Sequence, residues 1–288
     1  MAPPPPVILD LGPVVVTLPP GYSEDTRFVI DDKHRRIVVT RFDDPAETPD
    51  EIADDRHRRA IDLTEGEATP TKREARVIDE RPAHLSVYRI KERGVPEDIA
   101  LLIVQLRQGR YAQVQCNGRG ARAVIEDLAA TFRVSSKPVE APPKGFQPSR
   151  SFIEFTMCVP EGMERRTPYT FEDADAGIAW RIDAESLAAR TFPSLAARVA
   201  RPPELDASPD VATRTHRGPK CAGPVALAQT IDPEMAAPGP LVCFAQITVE
   251  HAVQVRLAGQ APGAQRERFE KDLAMILDSL ARTPGGAR

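Results

Sequence analysis

Apolar and polar positions along the chain alternate in short strand-like runs, broken by turns and by two helical periods, and the whole series occurs twice. Residues 14–18 (VVVTL) end at Pro19-Pro20-Gly21, a turn in which proline fixes φ and glycine tolerates the positive φ that follows. Arg27–Ile30 and Arg36–Phe42 flank the polar Asp31-Asp32-Lys33-His34 and predict a hairpin. Thr48-Pro49-Asp50-Glu51 predicts a helix start: a capping hydroxyl, proline in the first turn, and acids at the positive end of the helix dipole. The apolar stripe of that helix is thin, Ile52, Ala60 and Leu63, set among Asp54, Asp55, Arg56, Arg58 and Arg59. Strands are predicted near 74–79, 83–91, 99–106 and 111–117. Short glycine-containing turns separate the last three, which makes them an antiparallel meander. Gly118-Arg119-Gly120 then opens a helix whose Val124, Ile125, Leu128 and Phe132 keep helical spacing.

After a proline-rich stretch the order repeats. A strand at 152–159 leads to the turn Pro160-Glu161-Gly162, and strands at 169–171 and 177–182 precede a short helix near 193–199. Strands at 225–231, 241–250 and 252–257 lead to a closing helix at 265–280, amphipathic through Phe269, Leu273, Ile276, Leu277 and Leu280. Residues 201–216 (RPPELDASPDVATRTH) match nothing in the first half and read as a loop. Pro19 and Gly21 fall on Pro160 and Gly162 at a shift of 141 residues (160 − 19). The same shift carries Thr26 onto Thr167, Ile37 onto Ile178, Ile90 onto Ile231, Gln105 onto Gln246, Gln113-Val114 onto Gln254-Val255, and Gly118 onto Gly259. We read a diverged tandem duplication: an N-terminal domain at 7–135, a semi-extended linker at 136–150, and a C-terminal domain at 151–288. Each is expected to be α+β, an antiparallel sheet packed with helices.

Strand alternation separates two faces of each meander. Leu102, Val104 and Leu106 with Ala112, Val114 and Cys116 form an apolar face for the terminal helix, matched by Cys243, Ala245, Ile247, Val255 and Leu257. The opposite face mixes Ile103, Gln105, Tyr111, Gln113 and Gln115 in the first copy with Phe244, Gln246, Gln254 and Arg256 in the second. Trp180, the one tryptophan, aligns with Val39 and is expected to join this mixed face. An open face of this kind would contact an apolar partner segment, with the glutamine amides orienting it by hydrogen bonds. The competing reading is that a second layer of the protein covers it, or that it is half-polar sheet facing solvent.

Composition narrows the function classes. Hydrophobic residues make up 41% of the 288, as in globular proteins. The net charge of −4 with dispersed Lys and Arg, and aromatics at 5%, argue against a nucleic-acid partner. The opening MAPPPPVILDLG has no signal-peptide character and no apolar run reaches the length of a membrane span, so a cytoplasmic protein without stable membrane insertion is expected. Cys116, Cys158, Cys221 and Cys243 match neither a zinc nor a redox spacing. Cys116, Cys158 and Cys243 lie in predicted strands, which suits small buried hydrophobes. His216 and Cys221 lack a third ligand of matching spacing, and no GxSxG, HExxH or triad pattern is present. No enzyme, cofactor or metal is expected.

Leu18-Pro19-Pro20-Gly21-Tyr22, its degenerate copy Val159-Pro160-Glu161-Gly162-Met163, the RIVVTRF stretch at 36–42, the meander and the helix ending near Phe132 resemble the DcrB/Mog1/PsbP family. That resemblance implies a Mog1/PsbP-like fold in both halves and a small binding protein. With a cytoplasmic location it is similar to the Eag-type chaperones of type VI secretion effectors, which hold apolar, membrane-destined helices. The implied function is a chaperone or adaptor holding the apolar N-terminal segment of a secreted effector, as a monomer acting as a covalent pseudo-dimer or as a dimer. The alternative is an immunity or regulatory protein that masks a folded partner with its loops.

Overall fold

The computed structural model describes residues 6–283, apart from 12, 25–26, 47, 64–68, 93–94, 119, 135–141, 153, 188–191, 209 and 233–236. The chain opens with β1 (Val7–Asp10), β2 (Val14–Leu18) and β3 (Ser23–Glu24). The expected hairpin follows as β4 (Arg27–Asp31) and β5 (Arg35–Asp43), then α1 (Pro49–Leu63). The Thr48 hydroxyl accepts from the Glu51 amide at 3.4 Å, the cap that the sequence signals. The meander β6 (Thr69–Ile78), β7 (Arg81–Glu92), β8 (Val95–Arg107) and β9 (Arg110–Gly118) leads to α2 (Ala121–Thr131). The second round is β10 (Phe146–Phe152), β11 (Phe155–Pro160), β12 (Glu164–Arg165), β13 (Tyr169–Asp173) and β14 (Ile178–Ser186). Helices α3 (Phe192–Arg198) and α4 (Glu204–Ala207) precede β15 (Ala212–Arg217), β16 (Cys221–Asp232), β17 (Ala237–Val249) and β18 (Val253–Ala261). The chain closes with α5 (Arg266–Ser279) and β19 (Ala281–Arg282).

These elements build two α+β units, each around a seven-stranded sheet whose neighbours are all antiparallel. The units do not follow the order of the chain. Arg27–Arg166 forms a central unit, and Met1–Thr26 joins Thr167–Arg288 in a terminal unit. In the central unit β12 pairs with β4 and β11 lies against α2, so the opening segment of the second copy completes the body of the first. In the terminal unit β3 pairs with β13, and β2 packs on α5 and pairs with β19. The expected divisions at 7–135, 136–150 and 151–288 assume that each opening strand stays with its own copy. They do not anticipate the exchange, because VVVTLPPG and FTMCVPEG carry the same pattern and suit either body equally. Strand β10, paired with β11, also takes up the last part of the expected linker, residues 146–150. Residues 136–141 of that linker, and the side chains of Ala60 and Leu63, lie outside the described part of the molecule.

Specific contacts hold each exchanged segment. The Tyr22 hydroxyl donates to Asp272 Oδ2 at 2.7 Å, and Ser279 Oγ accepts from the Thr17 amide at 2.8 Å. Burial above all, with the Asp272 carboxylate adding, pushes the Tyr22 hydroxyl well above the ordinary phenol range. The central unit uses backbone instead: Arg133 and Thr156 exchange two hydrogen bonds at 2.8 Å, and the Cys158 amide donates to Thr131 Oγ1 at 3.1 Å. Met163, at the place of Tyr22, is buried and apolar.

Both apolar faces bury against the terminal helices as the alternation implies. Leu102, Val104, Val114 and Cys116 are fully buried in the central unit, as are Cys243, Ala245, Ile247 and Val255 in the terminal one. Of the region 201–216, only part is loop: it contains α4 and the edge strand β15.

Candidate interaction surface

The large apolar residues of the mixed sheet face are covered in both units. In the central unit Ile103 and Tyr111 are fully buried beneath α1, packed with Ile52, Ala53 and Leu101. The Tyr111 hydroxyl donates to the Ala46 carbonyl at 2.6 Å and accepts from Gln105 Nε2 at 3.2 Å. Gln113 and Gln115 are half-buried, and Gln115 Nε2 donates to Asn117 Oδ1. In the terminal unit Phe244 is covered by Val199 and Leu205, beside Ala226, Ala228 and Val242. The Arg256 guanidinium lies 5.8 Å from the Phe244 ring centre and that of Arg201 6.0 Å, placements that favour cation–π attraction. Gln254 is buried and donates to the Ile247 carbonyl, while Gln246 is half-buried.

Trp180 is on the other side of the sheet. It is fully buried and stacks on Phe269 of α5, ring centres 4.6 Å apart. Its neighbour across the sheet is Gly259, where a Cβ would stand 2.2 Å from Trp180 Cζ3. In the central unit the corresponding pair is Ile37 and Cys116. Trp180 therefore corresponds to Ile37 and not to Val39, and the two pairs divide a similar volume differently. Two residues inserted before β14 cause the discrepancy. The same insertion separates the glutamines: Gln105 stands opposite Tyr111 and Gln113 opposite Ile103, whereas Gln246 stands opposite Arg256 and Gln254 opposite Thr248. Aligned at their turns, the hairpins place Gln246 at Ile103 and Gln254 at Tyr111, so the recurrence at a shift of 141 is not a shared amide site.

What differs between the units is the cover. Helix α1 runs unbroken for 15 residues, whereas the terminal unit has the 7-residue α3, then Pro202-Pro203, then the 4-residue α4. Proline cannot continue the hydrogen-bond ladder of α3, and the broken cover leaves a groove of about 470 Å³. Glu172, Arg181, Arg198, Arg201, Glu204 and Gln260 supply its polar lining, and Val242 and Ala258 part of its apolar floor. Beside it, Arg198 Nε donates to Asp183 Oδ2 at 2.6 Å, with the carboxylate fully buried and also accepting from the Ala184 amide. That ion pair pins α3 to β14. Arg181 is exposed and makes no ion pair among the described residues.

The remaining chemical candidates do not assemble a reactive site. Cys221 Sγ is 3.6 Å from His216 Nε2, but Asp278 approaches that same nitrogen, also at 3.6 Å. An imidazole approached on one nitrogen cannot relay a proton between the two partners. The thiol donates instead to the Leu277 carbonyl, and burial raises its pKa, the opposite of an activated nucleophile. All four cysteines are buried, with Cys116 pushed up to about 12 by desolvation. Among the described residues no group of three or more His, Cys, Asp and Glu is placed to hold a metal ion. No helix among them is long and apolar enough to cross a membrane.

No protein-family profile and no curated protein sequence matches the chain. Among solved structures, it is similar to a chain of the Tle4–Tli4 complex at 12% identity, over 96% of this chain and 97% of that one, with a TM-score of 0.49. It is similar to the apo immunity protein TplEi of the type VI secretion system of Pseudomonas aeruginosa at 15% identity, over 97% of both chains, with a TM-score of 0.48. The cyanobacterial PsbP of Synechocystis sp. PCC 6803 matches at 14% identity over 45% of this chain and 88% of its own, with a TM-score of 0.30. None of these likenesses is close enough to carry residue roles to this chain.

Proposed function

We propose that the protein is a non-enzymatic binding protein that masks a folded partner, as an immunity or regulatory protein does, through the polar surface of its terminal unit. The observation that carries this reading is the closure of the mixed face: α1 covers it in the central unit, and α3 with α4 covers it in the terminal one. A chaperone holding an apolar helix needs that face open, with Ile103, Tyr111 and Phe244 free to touch the guest. In this conformation they touch the protein itself. The concave feature that is open, the groove beside Pro202-Pro203, has charged walls and suits a folded, polar partner surface. The resemblance to effector-associated proteins makes a secreted effector the partner class to try first, met in the cytoplasm.

The test is to mix the purified chain with a full-length candidate secreted effector, and with that effector lacking its apolar N-terminal segment. Masking predicts that both form the complex on size-exclusion chromatography. Binding that is lost with the apolar segment would replace masking by the chaperone mechanism.

A further inference from the structure

The two large sheets end on edges of different character. The central sheet ends on β6, ten residues long, whose cations are tied to the unit's own acids: Lys72 and Arg76 to Glu74 and Glu126, and Arg73 to Asp54. Its ladder to β7 is also interrupted between Pro70 and Lys72. These are devices that keep an edge from recruiting another strand. The terminal sheet ends on β15, six residues reading ATRTHR, regularly paired with β16 over its whole length. Ala212, Thr213, Arg214, Thr215 and Arg217 are exposed, and only His216 is half-buried. Arg214 and Arg217 make no ion pair among the described residues, and the two nearby cations with partners are His216, with Asp278, and Lys220, with Glu250. The backbone on the outer side of β15 has no strand beside it among the described residues, and an unpaired row of N–H and C=O groups is a template for strand addition. The unpaired arginines select the occupant. A second copy of β15 would bring arginine against arginine, which repels; an acidic strand would bring carboxylates against them.

Resting on the masking function proposed above, we propose that β15 takes an extended acidic segment of the partner as an eighth strand of the terminal sheet. Backbone hydrogen bonds along 212–217 supply the docking, and Arg214 on one face of the strand and Arg217 on the other choose a segment with glutamate or aspartate three residues apart, one on each face. Thr213 and Thr215, exposed on one face, and Ala212, exposed on the other, leave room for the incoming side chains.

The experiment uses the full chain and three synthetic octapeptides: a valine peptide with two glutamates three residues apart, the same with lysine for glutamate, and the glutamate peptide with a central proline. Titration is followed by fluorescence anisotropy, and amide hydrogen exchange is mapped on the complex. The glutamate peptide is expected to bind saturably and to slow exchange of the 212–217 amides. The lysine and proline peptides are expected to bind at least about tenfold more weakly, the first for want of charge and the second for want of a strand. The paired change Arg214→Glu with Arg217→Glu should cost about tenfold for the glutamate peptide, and Arg214→Lys with Arg217→Lys should restore most of it. Equal binding of the proline peptide, or protection that falls outside 212–217, overturns strand addition. The outcome is separable from the masking reading. An effector complex that survives the glutamate double variant leaves masking standing and removes β15 from it, whereas a missing effector complex removes masking and leaves the peptide result to decide β15.

Discussion

The helical covers of the two sheets solve one packing problem in opposite ways. Helix α1 packs Ile52 and Ala53 on Leu101, Ile103 and Tyr111, but its contact layer over β7 is polar. His84 Nε2, Ser86 Oγ and Tyr88 Oη on β7, with Arg56 Nε and His57 Nδ1 on α1, are buried without a hydrogen-bond partner in the structure. Besides that small apolar contact, α1 is tied down at its margins and ends by the Asp50–His84 and Asp54–Arg73 pairs and the stacking of His57 on Tyr88. The terminal cover is shorter and broken, yet it is anchored by apolar Val199 and Leu205 over Phe244 and by the buried Asp183–Arg198 pair. Thr40 stands where Asp183 does, so the central unit lacks that anchor. The terminal cover, held by that buried pair, leaves part of the sheet open as a groove.

The contrast is broken most severely at the anchor. Asp183→Ala strands the Arg198 guanidinium in a site where its side chain is only 9% exposed, and is expected to cost about 3–5 kcal/mol in a urea unfolding curve. The same change at Asp50, whose side chain is 54% exposed, should cost about 1 kcal/mol or less by the same measurement. Next comes the division of volume between sheet partners. Gly259→Ala drives a methyl into Trp180 and should destabilise by about 2 kcal/mol. Adding Trp180→Ile to Gly259→Cys copies the Ile37–Cys116 pair, and is expected to recover about half of that loss. If the copied pair behaves no better than Gly259→Ala alone, the two cores are not interchangeable solutions.

A smaller effect, of opposite sign, belongs to the underside of α1. Ser86→Ala removes a buried hydroxyl that has no partner and should raise stability by about 1 kcal/mol. A loss of similar size would mean that water satisfies the hydroxyl. The smallest effect separates the two sheet edges by pH. Hydrogen bonds from Lys72 first, and then Arg76, hold the Glu74 carboxyl at about 2 instead of 4.5. The folded value lies below the unfolded one, so this contribution is complete above about 4.5 and is lost as the pH falls toward 2. Glu74→Gln should flatten the acid limb of the stability curve in that window, only slightly, because the group is exposed to solvent.

The repeated order of strands and helices was readable from local pattern, since turn chemistry at Pro19-Pro20-Gly21, the Thr48 cap and the helical spacing of Val124, Leu128 and Phe132 act over a few residues. The candidate surface was much less readable. Alternation sorted Ile103, Tyr111 and Phe244 correctly onto one face but could not say that helices lie over it. It misplaced Trp180 because counting residues at a fixed shift does not register a two-residue insertion in a turn. β15 escaped notice for a plainer reason: Thr and Arg at alternate positions carry no apolar rhythm, and an edge strand is recognised by what lies beside it.

The sequence by itself determined that the molecule is α+β, with antiparallel sheets, amphipathic terminal helices and the same elements in the same order twice. Those properties follow from backbone preferences and the period of burial, which are local. Only the tertiary structure decided which opening strand completes which body, because two segments of one pattern compete for equivalent places and the outcome turns on contacts such as Tyr22 with Asp272, 250 residues apart. It alone decided that the mixed faces are closed and that one sheet edge stays open. Those are properties of neighbours in space, and no short stretch of the chain contains them.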